Sequence, residues 1–315
     1  MGSAESPTPW PWVAYREAPE PISSLRPRPV TRCSLIPSAV IHRLVLGGQF
    51  MILAATAAGA DVFVGKQVNA GDRVPVNQID HTVFDGLLSR FVDADGMVAY
   101  RDWHADQAAR AELTGYLETL STAKFGANLK SDVPAERDAA LAFWINAYNA
   151  VTIAGILRVY PTTSIRNHTA SLWGYNVWKN LKLRVGGAGV SLDDMEHRRL
   201  RLMDEPRIHF AIVCASKGCP RLLNEAYVAD RLDEQLERNA AHFFAQPANF
   251  RVDTETQTVY LSSILKWFGE DFGRDQYDVL AGVRQWTPEA TLTDELLRGR
   301  PRVRYLDYDW TLYEQ

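Results

Sequence analysis

Two cysteines of this chain flank a short loop in its C-terminal third, where a thiol could act as a nucleophile. Cys214 follows the apolar run 208–213, and the small-residue loop 215–218 leads to Cys219. A buried segment that ends on a thiol and opens into a loop can place a reactive group in a cleft. Cysteine is also among the most buried residue types and often only packs a core. Both interpretations remain open at this point.

Two histidines are candidates for the base that would activate Cys214. The run 208–213 predicts a buried strand, on which His209 and Cys214 would face opposite sides. They would lie ~16 Å apart at roughly 3.3 Å per residue, beyond hydrogen-bond reach. His197 belongs to a separate predicted helix, so it is the preferred base, with His209 in a supporting role or brought to the same cleft by a bulge.

These residues predict a cysteine-dependent hydrolase or acyltransferase that acts on a small-molecule or peptide-like substrate, without a cofactor or metal. Cys214 would be the nucleophile, and Glu196 or an asparagine would orient the histidine. Backbone N–H groups around residues 215–218 would stabilise an oxyanion.

Six further residues are candidate substrate contacts. Asn146 and Asn149 lie three positions apart on one face of the most apolar predicted helix. A buried amide without a partner costs about 1–3 kcal/mol, so these two could instead tie down a loop or a helix end. The full set of candidate contacts is Trp144, Asn146, Asn149, Trp178, Ser216 and Lys217.

Three other interpretations use the same residues or their neighbours. A disulfide between Cys214 and Cys219 would make the segment a structural staple. A zinc ion held by His197, His209 and the two cysteines is less favoured, because the Cys-x4-Cys spacing is outside the commonest range. A non-enzymatic cell-envelope binding module would use the aromatic segment 173–178 as its contact surface and keep the cysteines structural.

The elements around these residues predict an α+β fold. Helical periodicity is expected over 104–122, 136–160, 192–203, 226–246 and 277–286. Hairpins are expected within 181–192 and 250–261, followed by a closing strand over 303–310. Because strands and helices do not alternate regularly, we expect a single domain with a central apolar helix packed on a small, mostly antiparallel sheet.

Composition and charge narrow the class of protein. The chain has 315 residues, of which 46% are hydrophobic and 23% charged, as in globular proteins with a full core. Its formal net charge of −4 argues against general nucleic-acid binding. Three cysteines are too few for a disulfide scaffold. The sequence does not indicate an oligomeric state.

The N-terminal region predicts export to the periplasm or the extracellular space. Residues 1–40 are expected to be a disordered extension, residues 41–60 a signal-like segment, 61–79 a linker and 80–315 the domain. The signal-like segment lies far from residue 1, so the true start is expected between residues 30 and 45. Cleavage would remove Cys33 and leave no stable membrane span, and an uncleaved anchor is the alternative.

Several motifs resemble the domain-of-unknown-function 547 family. They occur in the family's order across roughly residues 80–310, at 143–149, 191–197, 207–216, 219–220, 261–268 and 308–310. Bacterial members often look like secreted or lipid-anchored proteins, and plant members join the domain to a coiled coil. The resemblance implies no particular reaction or substrate.

Overall fold

The computed structural model describes residues 60–126, 133–169 and 176–315. Several predictions lie outside these ranges: the extension 1–40, nearly all of the signal-like segment 41–60, Cys33, and the aromatic residues Trp173 and Tyr175.

Helices make up most of the described regular structure. The first four are α1 (Thr82–Phe91), α2 (Tyr100–Ala105), α3 (Gln107–Leu120) and α4 (Pro134–Val159). The later ones are α5 (Val177–Asn180), α6 (Leu192–Met195), α7 (Leu232–Ala245), α8 (Ser263–Trp267), α9 (Gln276–Val283) and α10 (Asp294–Arg298).

The strands form three small mixed sheets rather than one mostly antiparallel sheet. The first has the order β1 (Val62–Val64), β4 (Leu181–Val185), β5 (Ala188–Ser191), with β1 parallel to β4 and β4 antiparallel to β5. The second pairs β2 (Val74–Pro75) in parallel with β3 (Ala123–Lys124). In the third, β7 (Thr258–Leu261) is antiparallel to β6 (Phe250–Asp253) and parallel to β8 (Arg302–Tyr305). The α+β class is confirmed.

The segment 61–79, expected to be a linker, takes part in this arrangement. It contains β1 and β2, whose partners β4 and β3 lie more than a hundred and about fifty positions further along the chain. These residues are therefore built into the fold.

The prediction of a central apolar helix is confirmed by α4. Every residue from 139 to 153 is buried, so the helix is surrounded on all sides, as its nearly uniform apolar composition requires. Pro134 occupies the first turn, where its missing N–H has no helical partner to lose. Among the described helices, α4 alone is long and apolar enough to cross a membrane, and 94% of its most apolar window is buried within the protein.

The predicted strand over 208–213 is wrong. A 3₁₀ helix forms over Pro206–Phe210 instead. Proline favours the first helical position, and the Glu205 carboxylate caps the turn by accepting the Arg207 N–H at 3.1 Å. The apolar run indicated burial correctly, but it could not distinguish a short buried strand from a buried turn.

Two asparagines of α4 make hydrogen bonds to buried backbone groups elsewhere in the chain, which in a sheet would bond to a neighbouring strand. Asn149 donates its Nδ2–H to the Ala211 carbonyl at 3.0 Å and accepts the Val213 N–H at 3.0 Å. Asn146 makes the same pair of bonds with the carbonyl and N–H of Tyr227, at 2.8 and 2.9 Å. Since each amide satisfies one buried donor and one buried acceptor, the contacts favour the structural interpretation of both asparagines.

Replacing Asn149 with alanine should destabilise the fold strongly. The change leaves the Ala211 carbonyl and the Val213 N–H without partners in the core, and the two together should lower the free energy of unfolding by about 2–5 kcal/mol. Urea unfolding followed by circular dichroism measures this difference. The exposed Asn69→Ala is the control, expected within about 0.5 kcal/mol of wild type. Equal losses in the two variants would contradict the bracing role.

Candidate functional site

Two thiols and two hydroxyls meet in a buried group that we call the thiol cluster: Cys214, Ser216, Cys219 and Tyr308. The two Sγ atoms lie 2.8 Å apart, and Ser216 Oγ lies 2.9 Å from the Sγ of Cys214. The Tyr308 hydroxyl lies 3.0 Å from Cys219 Sγ, 3.2 Å from Cys214 Sγ and 3.1 Å from Ser216 Oγ. All four polar atoms are thus in mutual contact, and the thiols are 3% and 7% exposed for Cys214 and Cys219.

A tight loop and the C-terminal segment assemble the thiol cluster. Ala215 has φ = +60°, a left-handed conformation that reverses the chain between the two cysteines. Lys217 N–H donates to the Thr311 carbonyl at 2.9 Å, and Gly218 N–H donates to the Asp309 carbonyl at 2.8 Å. These bonds set the C-terminal segment, and with it the Tyr308 ring, over the loop.

Glycine at position 218 permits this close approach. A Cβ atom there would lie 2.8 Å from carbons of the Tyr308 ring, so any larger residue would push the ring away from the thiols. The ring also packs against Trp267 and Trp310, at centroid distances of 4.9 and 4.6 Å.

Hydrogen bonds in the thiol cluster favour a thiolate on Cys219 rather than on Cys214. Burial opposes ionisation of Cys219, but donors from Cys214 Sγ, the Tyr308 hydroxyl and the backbone lower its pKa to about 6. One of these donors is the Cys214 N–H, which lies 3.0 Å from Cys219 Sγ. Burial raises the pKa of Cys214 well above its usual value, and the bond to Cys219 raises it further. The shared proton therefore stays on Cys214.

The two histidines lie in a second group, the histidine–aspartate cluster: His197, Arg201, His209, Glu270 and Asp271. His209 Nε2 lies 2.7 Å from Asp271 Oδ2. Arg201 binds Asp271 through Nε at 2.6 Å and Nη2 at 2.7 Å, and it binds Glu270 at 2.6 Å. Arg201 also donates to His197 Nδ1 at 3.2 Å. The cluster is a partly buried ion pair with an imidazole on each side.

The ion pairs of this second cluster join Arg201 to the carboxylates of Asp271 and Glu270. Burial opposes the charged carboxylate, yet hydrogen bonds from Arg201 and His209 lower the pKa of Asp271. Burial lowers the pKa of His209 despite its bond to Asp271, and burial likewise lowers the pKa of His197. Both imidazoles are therefore neutral near pH 7, and His209 Nε2–H donates to the carboxylate.

Glu196 lies in the buried interior, within electrostatic range of Cys219. It is 3% exposed, and its Oε2 accepts the Tyr148 hydroxyl at 3.3 Å. Burial raises the pKa of Glu196 to about 8, and negative charge on Cys219 contributes to the rise. The thiols also raise the pKa of Tyr148, after burial and Glu196 itself. The raised pKa makes Glu196 a neutral carboxylic acid at pH 7.

A change in helix type places Glu196 and His197 differently from the predicted regular helix. The predicted helix 192–203 begins at α6 with a capping box between Ser191 and Asp194. It continues as a π-helical turn over Glu196–Leu200 and a 3₁₀ turn over Arg201–Met203. Widened turns of this kind often occur at functional sites. Here Glu196 bonds to Tyr148, and His197 bonds to Arg201 in the second cluster.

Both candidate bases are hydrogen-bonded to side chains other than Cys214. His197 bonds to Arg201 and His209 to Asp271, and neither has a hydrogen bond to Cys214 in the described contacts. Because the strand over 208–213 does not form, strand geometry does not describe the positions of His209 and Cys214. Glu196 bonds to Tyr148 rather than orienting a histidine.

The remaining predicted site residues have varied surroundings. Ser216 is part of the thiol cluster, whereas the Lys217 side chain is exposed. Trp144 is buried and stacks on Phe125 at 5.0 Å, and Trp178 is buried near Tyr148. The two tryptophans are core residues.

The predicted oxyanion donors of residues 215–218 are largely occupied. The N–H groups of Lys217 and Gly218 already donate to carbonyls of the C-terminal segment. Ser216 pairs with Leu312 in an isolated antiparallel bridge. These backbone groups become available only if the C-terminal segment moves.

The structure also addresses two of the rival interpretations. Cys214 and Cys219 are free thiols, although they are in contact. Within the described ranges, no three side chains of His, Cys, Asp or Glu converge as metal ligands. His209, one member of the zinc set, is instead bonded to Asp271.

Sequence reasoning missed five residues: Tyr148, Arg201, Cys219 as a thiolate, Asp271 and Tyr308. Three of them stood inside recognised motifs, in 143–149, 219–220 and 308–310. Tyr148, Cys219 and Tyr308 are polar residues within largely apolar motifs, and this pattern was the signal that could have identified them. Arg201 and Asp271 bond to each other although they lie 70 positions apart along the chain, so no local sequence pattern could pair them.

Comparison with known families agrees with the resemblance. The model of a family described as protein of unknown function, DUF547, matches residues 134–244. This range covers α4, both cysteines and both histidines, so the resemblance inferred from the motifs is confirmed there; the match carries no information on a bacterial source or on secretion. Comparison with curated proteins found no match, and comparison with solved structures found none either.

Removing the Tyr308 hydroxyl should raise the pKa of the Cys219 thiol. A hydrogen bond to a charged group is worth about 1.5–3 kcal/mol, so Tyr308→Phe should raise that pKa by roughly one to two units. The pH dependence of iodoacetamide labelling at Cys219, followed by mass spectrometry, measures the shift. Tyr260→Phe, in which the lost hydroxyl does not contact the thiols, is the control. An unchanged midpoint in Tyr308→Phe would show that the hydroxyl does not stabilise the thiolate.

Proposed function

We propose that this chain is a cysteine-dependent hydrolase or acyltransferase in which Cys219 is the nucleophile and Glu196 the general acid. The observation that carries the proposal is the set of hydrogen-bond donors around Cys219 Sγ, together with the burial of Glu196, because these surroundings invert the usual protonation of the two groups. The pKa of Cys219 falls to about 6, whereas burial raises that of Glu196 to about 8. Near pH 7 the thiol is therefore ionised and the carboxyl is neutral, the reverse of their usual states.

Such inverted pairs identify an acid and a nucleophile. Environments that push two pKa values apart allow one group to attack while the other delivers a proton at the same pH. The hydrogen bonds to Cys219 Sγ from Cys214 N–H and the Tyr308 hydroxyl supply the physical cause of the thiolate. This arrangement needs no histidine at the thiol, which accords with the bonding of both imidazoles to other groups.

The proposed reaction uses an acyl substrate of the ester, thioester or amide class. The Cys219 thiolate attacks the acyl carbonyl, and protonated Glu196 gives its proton to the leaving group. The resulting Glu196 carboxylate then takes a proton from water or from an acceptor alcohol or amine, which attacks the thioester and releases Cys219. Water as acceptor makes the enzyme a hydrolase, and another nucleophile makes it a transferase.

Substrate access requires movement of the C-terminal segment. The Tyr308 ring covers the thiols, and Cys219 is only 7% exposed. Displacing the segment would also free the N–H groups of Lys217 and Gly218, which could then bind an oxyanion. Opening would thus expose the nucleophile and the oxyanion donors together.

A panel of acyl thioesters and p-nitrophenyl esters tests the nucleophile. Cys219→Ser should abolish turnover, whereas Cys214→Ser should retain a substantial part of it, because Cys214 contributes only a donor to the thiolate. The reverse order would make Cys214 the nucleophile. Undiminished turnover in Cys219→Ser would reject the thiol mechanism.

Glu196→Gln should inactivate the protein and stabilise it. Loss of a general acid lowers turnover by roughly 10²–10⁴-fold. The raised pKa means that folding takes up a proton between pH 4.5 and about 8, so the free energy of unfolding falls as pH rises through that window. Glutamine removes this penalty and should raise stability by up to about 3 kcal/mol at pH 7.

Urea unfolding at pH 5, 7 and 8.5 measures the stability difference. It should grow with pH in Glu196→Gln and stay near zero in the control Glu118→Gln, an exposed carboxylate. Destabilisation by Glu196→Gln at pH 7 would contradict the neutral buried carboxyl.

A second candidate function is the non-enzymatic binding module. The observation that favours it is the burial of Cys214, only 3% exposed, as expected for a cysteine in a packing role. The lowered pKa of Cys219 favours the enzyme, because a purely structural thiol needs no donors to a charged form. Absence of turnover of every acyl substrate by the wild-type protein would select the module.

We also propose that the protein is exported, on the basis of the signal-like pattern of residues 41–60. N-terminal sequencing of protein from expressing cells tests this proposal. A mature start close to residue 60 supports cleavage, and a chain that keeps residues 41–60 in the membrane fraction supports an anchor.

A further inference from the structure

We infer that Cys214 and Cys219 form a redox modification site, at which a small hydroperoxide oxidises Cys219 and Cys214 closes a reversible disulfide with it. This regulation rests on the proposed function, since the disulfide would remove the catalytic nucleophile. The class of reactant is a hydroperoxide such as hydrogen peroxide, and the reverse step takes a dithiol reductant.

The distance between the sulfurs carries the inference. The two Sγ atoms are 2.8 Å apart, and a disulfide bond is about 2.05 Å long. The remaining gap is smaller than one ångström, so side-chain adjustment within the loop 214–219 can close it. The left-handed Ala215 already turns the chain so that the two side chains meet.

The two thiols have unequal roles. Cys219 Sγ is within hydrogen-bonding distance of Cys214 N–H, Cys214 Sγ and the Tyr308 hydroxyl, so it is the better thiolate and the first to meet an oxidant. Cys214 stands next to it with its own thiol, in the position of a resolving cysteine. Ser216 and Tyr308 add two hydroxyls that can bond to the oxygen of a sulfenate.

The chemistry balances without further reactants. The Cys219 thiolate attacks one oxygen of hydrogen peroxide, the O–O bond breaks, and hydroxide leaves while Cys219 becomes a sulfenic acid. Cys214 loses its proton to that hydroxide and attacks the Cys219 sulfur. The S–S bond forms, the S–O bond breaks, and the sulfenic O–H leaves as a second hydroxide, which becomes water by taking from solvent the proton that Cys219 released on ionising. Two sulfurs are each oxidised by one electron, and one peroxide is reduced to two waters.

Burial sets the expected selectivity. The thiols lie under the Tyr308 ring at 3% and 7% exposure, so hydrogen peroxide should react faster than a bulky organic hydroperoxide. The same burial keeps the disulfide away from large protein thiols and favours a small dithiol as reductant.

The test uses the full chain carrying Cys33→Ser, so that only the two thiols of the site remain. The reduced protein is treated with hydrogen peroxide, alkylated with iodoacetamide and digested for mass spectrometry. The expected product is a peptide with Cys214 linked to Cys219, two hydrogens lighter than the dithiol. Labelling of Cys219 should fall by about tenfold and return after dithiothreitol.

Single-cysteine variants in the same background assign the roles. With Cys214→Ser, dimedone should trap a sulfenic acid on Cys219, and continued exposure should carry it to the sulfinic acid. With Cys219→Ser, Cys214 should stay unmodified under the same treatment. If Cys214 forms the sulfenic acid first, the assignment of roles is overturned.

Two results for the parent protein overturn the inference outright. One is oxidation of Cys219 to sulfinic acid without any linked peptide. The other is a protein already linked that resists dithiothreitol while folded, which is a permanent staple. Acyl turnover under reducing conditions is measured separately. Reversible linkage without turnover rejects the proposed function alone, and turnover without linkage rejects the redox site alone.

Discussion

The two hydrogen bonds of the Asn149 amide hold the backbone on which the site depends. They fasten Ala211 and Val213 to the central helix α4, directly before the loop that carries both cysteines. A side chain from the most buried helix thus does what a neighbouring strand would do in a sheet. The two hydrogen bonds of Asn149 are buried and pair both backbone groups that they contact, so they fix the position of the cysteine loop in the core.

The described polar interior is divided into two parts with opposite electrostatic character. In the histidine–aspartate cluster, Arg201 balances Asp271 and both imidazoles stay neutral. In the thiol cluster, hydroxyl, thiol and N–H donors face Cys219 without a nearby cation. Buried ions persist when they are paired or fully hydrogen-bonded, and each cluster uses one of these solutions. Glu196 is buried without such a set of donors and remains protonated near pH 7.

Local sequence patterns predicted the parts of this fold that depend on nearby residues. The apolar helix α4, the amphipathic helix α7 and the hairpin of β6 and β7 follow from periodicity and turn residues. The run 208–213 was assigned to a strand because periodicity reports burial, while its partner is an amide 62 positions earlier in the chain. The candidate residues Cys214, Ser216 and Glu196 were found by type. Their contacts could not be, because Tyr308 reaches the thiols from 94 positions beyond Cys214.

The contact between Tyr308 and the thiols can form only late in the synthesis of the chain. The ribosome produces both cysteines well before Tyr308, which follows Cys219 by 89 positions, and before the carbonyls that bind Lys217 and Gly218. Until those residues emerge, Cys219 lacks the tyrosine donor that stabilises its charge, so it behaves as an ordinary, weakly ionised cysteine. The full lowering of the Cys219 pKa is thereby postponed until the C-terminal segment is synthesised.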